Sequence, residues 1–156
     1  PDEMPAVASR GEGRDQVDLL RVDAGANILI IGYGQFAGTG LEVAEKLAAA
    51  GLACTVADPA WCIPLSTELI GLAREHETIV SIEDNLVIAG LGERLRARLA
   101  EEAPGTRVLA FGIEQDFLAQ GTRGEVLEEL GLTSRHIARR VLEKILQERR
   151  TVTQPA

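Results

Sequence analysis

Four short apolar runs, alternating with segments of helical periodicity, constrain this chain more than any other feature. The runs are Ile28-Leu29-Ile30-Ile31, Leu52-Ala53-Cys54-Thr55-Val56-Ala57, Thr78-Ile79-Val80-Ser81-Ile82 and Arg107-Val108-Leu109-Ala110-Phe111. They are continuous rather than alternately polar and apolar, the pattern of strands covered on both faces. Between the first two, residues 38–50 place Leu41, Val43, Ala44, Leu47 and Ala48 at helical spacing, stopped by Gly51. A short helix follows a Ser66 or Thr67 cap and ends near His76. A third helix covers 88–102, with Leu91, Leu95 and Leu99 on one face, and ends at Pro104-Gly105. Helices at 123–130 and 134–149 flank Gly131-Leu132-Thr133. The alternation predicts an α/β fold: a three-layer α/β/α arrangement around a mainly parallel sheet with right-handed crossovers.

Length and composition narrow the function. A chain of 156 residues reads as one domain with a real core. Residues 1–25 lack a sustained period and read as a linker or lead-in with one short strand near 17–22; 26–150 form the domain and 151–156 a frayed tail. A net charge of −8 argues against nucleic acid, whose phosphates need clustered Lys and Arg. No apolar run approaches the ~20 residues that span a bilayer, and the N-terminus has no signal-peptide pattern. Cys54 and Cys62 fit neither a metal spacing nor a disulfide framework, so a reducing cytoplasm is expected. Cys54 reads as a small buried hydrophobe, and Cys62 has no base beside it in sequence. His76 and His136 read as structural or solvated.

Two stretches point to a site. Asp58-Pro59-Ala60-Trp61-Cys62-Ile63-Pro64 lies just beyond a strand's carboxyl end, where parallel sheets place ligands, and its prolines stiffen it. Gly32-Tyr33-Gly34-Gln35-Phe36-Ala37 fits G-x-G-x-x-A between a strand and a helix, with Asp58 ending the next strand. One reading is a small Rossmann-like nucleotide-binding domain using Gly32, Gly34 and Asp58. The other is a tight strand-to-helix turn, with Asp58 turning the chain before Pro59. Gly38 and Gly40 suggest that the helix starts late.

Several segments in order carry a resemblance. They are the Ile28–Gly34 turn, Asp58-Pro59-Ala60-Trp61-Cys62-Ile63-Pro64-Leu65, Leu72-Ala73-Arg74-Glu75-His76, Ile82-Glu83-Asp84-Asn85, Gln120-Gly121-Thr122-Arg123, Glu129–Thr133 and Ile137-Ala138-Arg139-Arg140. Together, over roughly 26–142, they resemble the C-terminal domain of the transketolase superfamily, closest to the 1-deoxy-D-xylulose-5-phosphate synthases. The resemblance implies a domain that supports dimer assembly and lines one edge of a substrate channel. It implies thiamine diphosphate and Mg2+ on upstream domains or a partner subunit, and no cofactor, metal or catalytic residue on this chain. The chain opens on Pro1, which fits a processed initiator or a piece of something longer. The reaction implied for the complete enzyme, expected as a homodimer, joins pyruvate to glyceraldehyde 3-phosphate in isoprenoid precursor synthesis.

Site residues implied by the resemblance are few. Arg10-Gly11 matches the end of the family's Tyr-Pro-Arg-Gly segment, whose arginine lies near the substrate phosphate; Ala8-Ser9 replace Tyr-Pro here. Ala60 stands where the family typically has an arginine reaching that phosphate. Glu83, Asp84 and Asn85 are candidates for an interdomain polar contact, or equally for a turn with a helix cap. Ala89-Gly90-Leu91-Gly92 replaces a Gly-Gly-x-Gly turn, Glu114 stands where Pro often follows Gly-Ile, and Ile63 replaces a common Lys. The lost basic residues imply a channel edge that holds anions less well.

Overall fold

The computed structural model describes residues 4–115 and 120–152. In chain order they form β1 (Ala8–Arg10), a 3-10 turn (Gly13–Asp15), β2 (Val17–Val22), β3 (Ile28–Gly32), α1 (Phe36–Ala49), β4 (Cys54–Pro59) and α2 (Thr67–Arg74). There follow β5 (Thr78–Leu86), α3 (Leu91–Glu102), β6 (Arg107–Ile113), α4 (Arg123–Glu129) and α5 (Ser134–Val152). The sheet order is β1-β2-β4-β3-β5-β6. β4, β3, β5 and β6 are mutually parallel, and β2 and β1 are added antiparallel on the β4 side.

The apolar runs of β3, β4 and β5 are buried on both faces, as their composition requires, and β6 at the sheet edge is partly buried. On one face Leu29, Ile31, Ala57 and Ile79 pack under Leu69 and Leu72 of α2 and Leu95 and Leu99 of α3. On the other, Ile28, Ile30, Val56 and Val80 pack under Val43 and Leu47 of α1 and Ile137 and Val141 of α5. Each such aliphatic side chain contributes about 1.5–3 kcal/mol by leaving water. The result is the expected three-layer α/β/α arrangement. Local signals agree with it: the Ser66 hydroxyl caps α2 by accepting from the Leu69 N–H, and Thr122 with Glu125 forms a reciprocal capping box on α4.

The structure differs from the sequence reading in four places. The lead-in contributes two strands: Val17 is fully buried and Leu19 nearly so, and Asp18 lies opposite Asp58 across the β2–β4 ladder. β2 was visible as an apolar segment, whereas β1 is three largely exposed residues with no pattern to find. α1 begins at Phe36, not after the glycines. Gly40 is a packing glycine, since a Cβ there would sit 3.3 Å from Val56 Cγ1 and 3.4 Å from Ile30 Cγ2. β5 runs on through Glu83-Asp84-Asn85 to Leu86 instead of turning after Ile82. α5 extends to Val152, past the expected start of the tail, and 153–156 lie outside the described residues. Among the described residues no helix is long and apolar enough to cross a membrane.

Candidate functional site

The parallel register brings the carboxyl ends of β3, β4 and β5 to one edge. Ile31 pairs with Ala57 and with Ser81, so the residues that follow, Gly32–Gly34, Asp58–Pro64 and Glu83–Leu86, share that edge. The glycine turn has a local cause. A Cβ on Gly32 would lie 2.4 Å from the Phe36 carbonyl oxygen, and Gly34 has φ +57°. The Gly34 N–H donates to Asp58 Oδ1 at 3.4 Å. Asp58 thus occupies the turn that a dinucleotide pyrophosphate would need.

Asp58 is half-buried. Burial pushes its carboxyl up, the Gly34 N–H pulls it back, and Asp18 on the neighbouring strand adds to the rise. The loop after it is pinned by residues of the lead-in. The Ala60 N–H donates to the Gln16 carbonyl at 3.0 Å. The Arg14 guanidinium lies 4.9 Å over the Trp61 ring, whose own N–H donates to the Ile63 carbonyl. Asp15 accepts from the N–H and hydroxyl of Thr67 at 2.8 and 3.1 Å, which holds its carboxyl below the usual range, and its carbonyl accepts from Ser66 Oγ. Arg14, Asp15 and Gln16 have no motif of their own in the sequence; only the antiparallel β2 brings them here.

Beside the loop opens a cleft of about 400 Å³, lined among others by Cys62, Ile63, Asn85, Ile88 and Arg94. Its apolar side chains face solvent: Ile63, Leu86 and Ile88 are between 48 and 60% exposed, and Trp61 in the adjoining loop is 43% exposed. Glu83 forms its buried floor. Both carboxylate oxygens are used, accepting from the N–H of Leu91 at 2.8 Å and of Gly92 at 2.9 Å at the start of α3. Glu83 thus caps the start of α3, as one of its two sequence readings has it. Asp84 is exposed and pairs with Arg123 at 2.9 Å, and Asn85 lines the cleft. Arg10 has its guanidinium fork on the Glu75 carboxylate at 2.6 and 2.9 Å. Ala60 is exposed in the loop and carries no donor beyond its backbone.

The Cys62 thiol is pushed up by burial and then by the charges of Asp58 and Glu83, which disfavours a thiolate nucleophile. Burial, with Glu83 behind it, also raises the Tyr33 phenol. Cys54 is buried in β4 and pushed up to about 11 by that burial. His76 is structural: its Nδ1–H donates to the Leu72 carbonyl at 2.8 Å and Nε2 meets Thr55 Oγ1 at 3.0 Å. His136 Nδ1 lies 3.0 Å from Thr133 Oγ1. Among the described residues no group of three or more His, Cys, Asp or Glu could hold a metal ion.

Comparison with known proteins decides the family. The profile described as "Transketolase, C-terminal domain" matches residues 18–137. The chain belongs to the transketolase C-terminal domain family. The match starts within β2, in keeping with that strand's place in the sheet. A 1-deoxy-D-xylulose-5-phosphate synthase of Clavibacter sepedonicus is 41% identical over 148 residues, which are 95% of this chain and 22% of that protein. One from Leifsonia xyli is 36% identical over 155 residues, 99% of this chain and 23% of the relative. The chain therefore spans less than a quarter of the length of these relatives. Among solved structures, a split-gene transketolase described as an inactive β4 tetramer superposes with a TM-score of 0.75 at 30% identity, over 90% of this chain and 46% of that one. A Campylobacter jejuni transketolase, at 19% identity and TM-score 0.62, covering 85% of this chain and 19% of its own, shares the fold. The nucleotide-binding alternative is not favoured: Gly34 and Asp58 bond each other, and the family accounts for the turn.

Proposed function

We propose that this domain is the assembly and substrate-channel domain of a thiamine-diphosphate-dependent 1-deoxy-D-xylulose-5-phosphate synthase-like transketolase. The observation that carries the proposal is the carboxyl edge of the sheet. There a pinned loop and an apolar rim surround a cleft that has no activated nucleophile and no metal-binding cluster among the described residues. Such an edge suits docking and channel lining, not bond-making. The 1-deoxy-D-xylulose-5-phosphate synthase relatives support the reading by name and by the fraction of their length that this chain matches.

In this reading the complete enzyme is a cytoplasmic homodimer. It joins pyruvate to an aldehyde such as glyceraldehyde 3-phosphate with release of carbon dioxide. Thiamine diphosphate and Mg2+ sit on domains outside this chain, whether on the same polypeptide or on a partner subunit. This reading assigns no chemical step to this chain. The apolar rim at Trp61, Ile63, Leu86 and Ile88 is the surface that meets those domains.

Carbon dioxide release from pyruvate tests the proposal. It is expected only when this chain is combined with thiamine-diphosphate-binding domains. Steady release by the chain alone overturns the assignment. Titrating NADH against Trp61 fluorescence is expected to show no saturable micromolar binding.

A further inference from the structure

The edge strand β6 ends the sheet on the side away from β1. Its pairing with β5 fixes which backbone groups it uses. The Arg107 N–H donates to the Glu77 carbonyl at 2.9 Å, and Arg107 pairs with Thr78. In a parallel ladder alternate residues turn to the same neighbour. Arg107, Leu109 and Phe111 therefore face β5, while Val108 and Ala110 turn their N–H and C=O groups outward. One outward group is already capped: Arg96 of α3 donates to the Val108 carbonyl at 3.0 Å. The Val108 N–H and both backbone groups of Ala110 are left on the open side.

A cleft of about 350 Å³ runs along this open side, between Arg96 of α3 and Arg140, Glu143 and Lys144 of α5. Arg140 lies 4.9 Å over the Phe111 ring, which fixes its charge beside the strand. The Glu143 carboxylate has Arg139 at 3.9 Å. Among the described residues Arg96, Arg140 and Lys144 make no ion pair with a carboxylate. Three cations and one acid line this edge in a chain whose net charge is −8. Charge and backbone here call for the same kind of occupant.

We propose that the β6 edge accepts an acidic extended segment of a partner polypeptide as an added strand. Main-chain hydrogen bonds to Ala110 and Val108 supply affinity. Acidic side chains, alternating between the two faces of such a strand, meet Arg96 on one face and Arg140 with Lys144 on the other. A second copy of β6 is the wrong occupant, because it sets like charges against each other. A small anion satisfies the cations but leaves the backbone unpaired.

The test uses the full 156-residue chain, labelled with nitrogen-15. The probe is a blocked peptide repeating Glu-Glu-Val-Val, which puts Glu on both faces of an added strand. Saturable binding is expected, with the shifts centred on Val108–Phe111 and exchange of the Val108 and Ala110 amides slowed about tenfold or more at saturation. Replacing Glu by Lys in the peptide, or N-methylating its backbone at alternate residues, should each weaken binding about tenfold or more. Lys144→Glu, an exposed position, should weaken it several-fold with an unchanged circular dichroism spectrum and melting temperature. Absence of saturable binding overturns the proposal. So does equal binding of the N-methylated peptide together with full competition by inorganic phosphate, which reduces the edge to a simple anion patch.

Discussion

Asp58 carries a cost that the fold could avoid. It is half-buried and stands opposite Asp18 across the β2–β4 ladder, and like charges so placed destabilise a sheet. Its folded pKa lies above the unfolded value, so the proton favours the folded state. That contribution is complete below the unfolded pKa and is lost as pH rises through the folded pKa. Asp58→Asn keeps an oxygen for the Gly34 N–H and removes the charge. It should raise stability at pH 7 by about 0.2–1 kcal/mol, with the gain shrinking as pH falls through the carboxylate range. Thermal melts of both proteins across that range check it; a gain that persists at the acid end contradicts the charge explanation. Glu83 is the opposite case, a buried carboxylate with both oxygens in use. Glu83→Gln turns an amide N–H₂ toward one of two backbone N–H donors. The loss should be about 1.5–3 kcal/mol, read as a lower urea midpoint with an unchanged slope. The role of Asp58 was not legible in the sequence, where it had a ribose or a turn to serve; for Glu83 the cap was one of two open readings. Each is decided by what the neighbouring element brings within hydrogen-bond distance.

At the scale of elements, the parallel core was legible because a strand buried on both faces has to be apolar throughout. β3, β4 and the first part of β5 announce themselves in that way. The parts that escaped lie where burial is one-sided or absent. β1 is exposed, and the last three residues of β5, Asp84 to Leu86, face solvent. The start of α1 is hidden in the sequence because glycine has two uses, helix-breaking and close packing, and only Val56 and Ile30 reveal which applies at Gly40. The lead-in matters most, since Arg14, Asp15 and Gln16 hold the site loop. Leu19→Ala tests whether β2 is structural. A true lead-in would tolerate the change within about 0.5 kcal/mol. A core strand should lose about 2–5 kcal/mol, measured by chemical unfolding.

For the whole molecule, the sheet edge presents position 60 with no side-chain donor, because alanine stands there. The Asp58–Pro64 loop is held at one end by β2 and at the other by the Ser66 cap, so position 60 is presented on a fixed frame. In the proposed enzyme an arginine there would extend from that frame toward the channel, its planar fork matched to phosphate. Ala60→Arg in the complete enzyme should therefore lower KM for a phosphorylated aldehyde. Hydrogen bonds to a charged group of about 1.5–3 kcal/mol correspond to about ten- to a hundredfold in affinity. KM for an unphosphorylated aldehyde should not move. Arg10 is the rival source of positive charge, and here its fork is closed on Glu75. Both side chains are substantially exposed, so releasing that pair by Glu75→Gln should cost less than about 1 kcal/mol in stability. If Arg10 is the phosphate ligand, Glu75→Gln lowers KM for the phosphorylated aldehyde and Ala60→Arg leaves it unchanged. If the loop is the missing contact, the pattern reverses, and steady-state kinetics of the two variants on the paired substrates separate them.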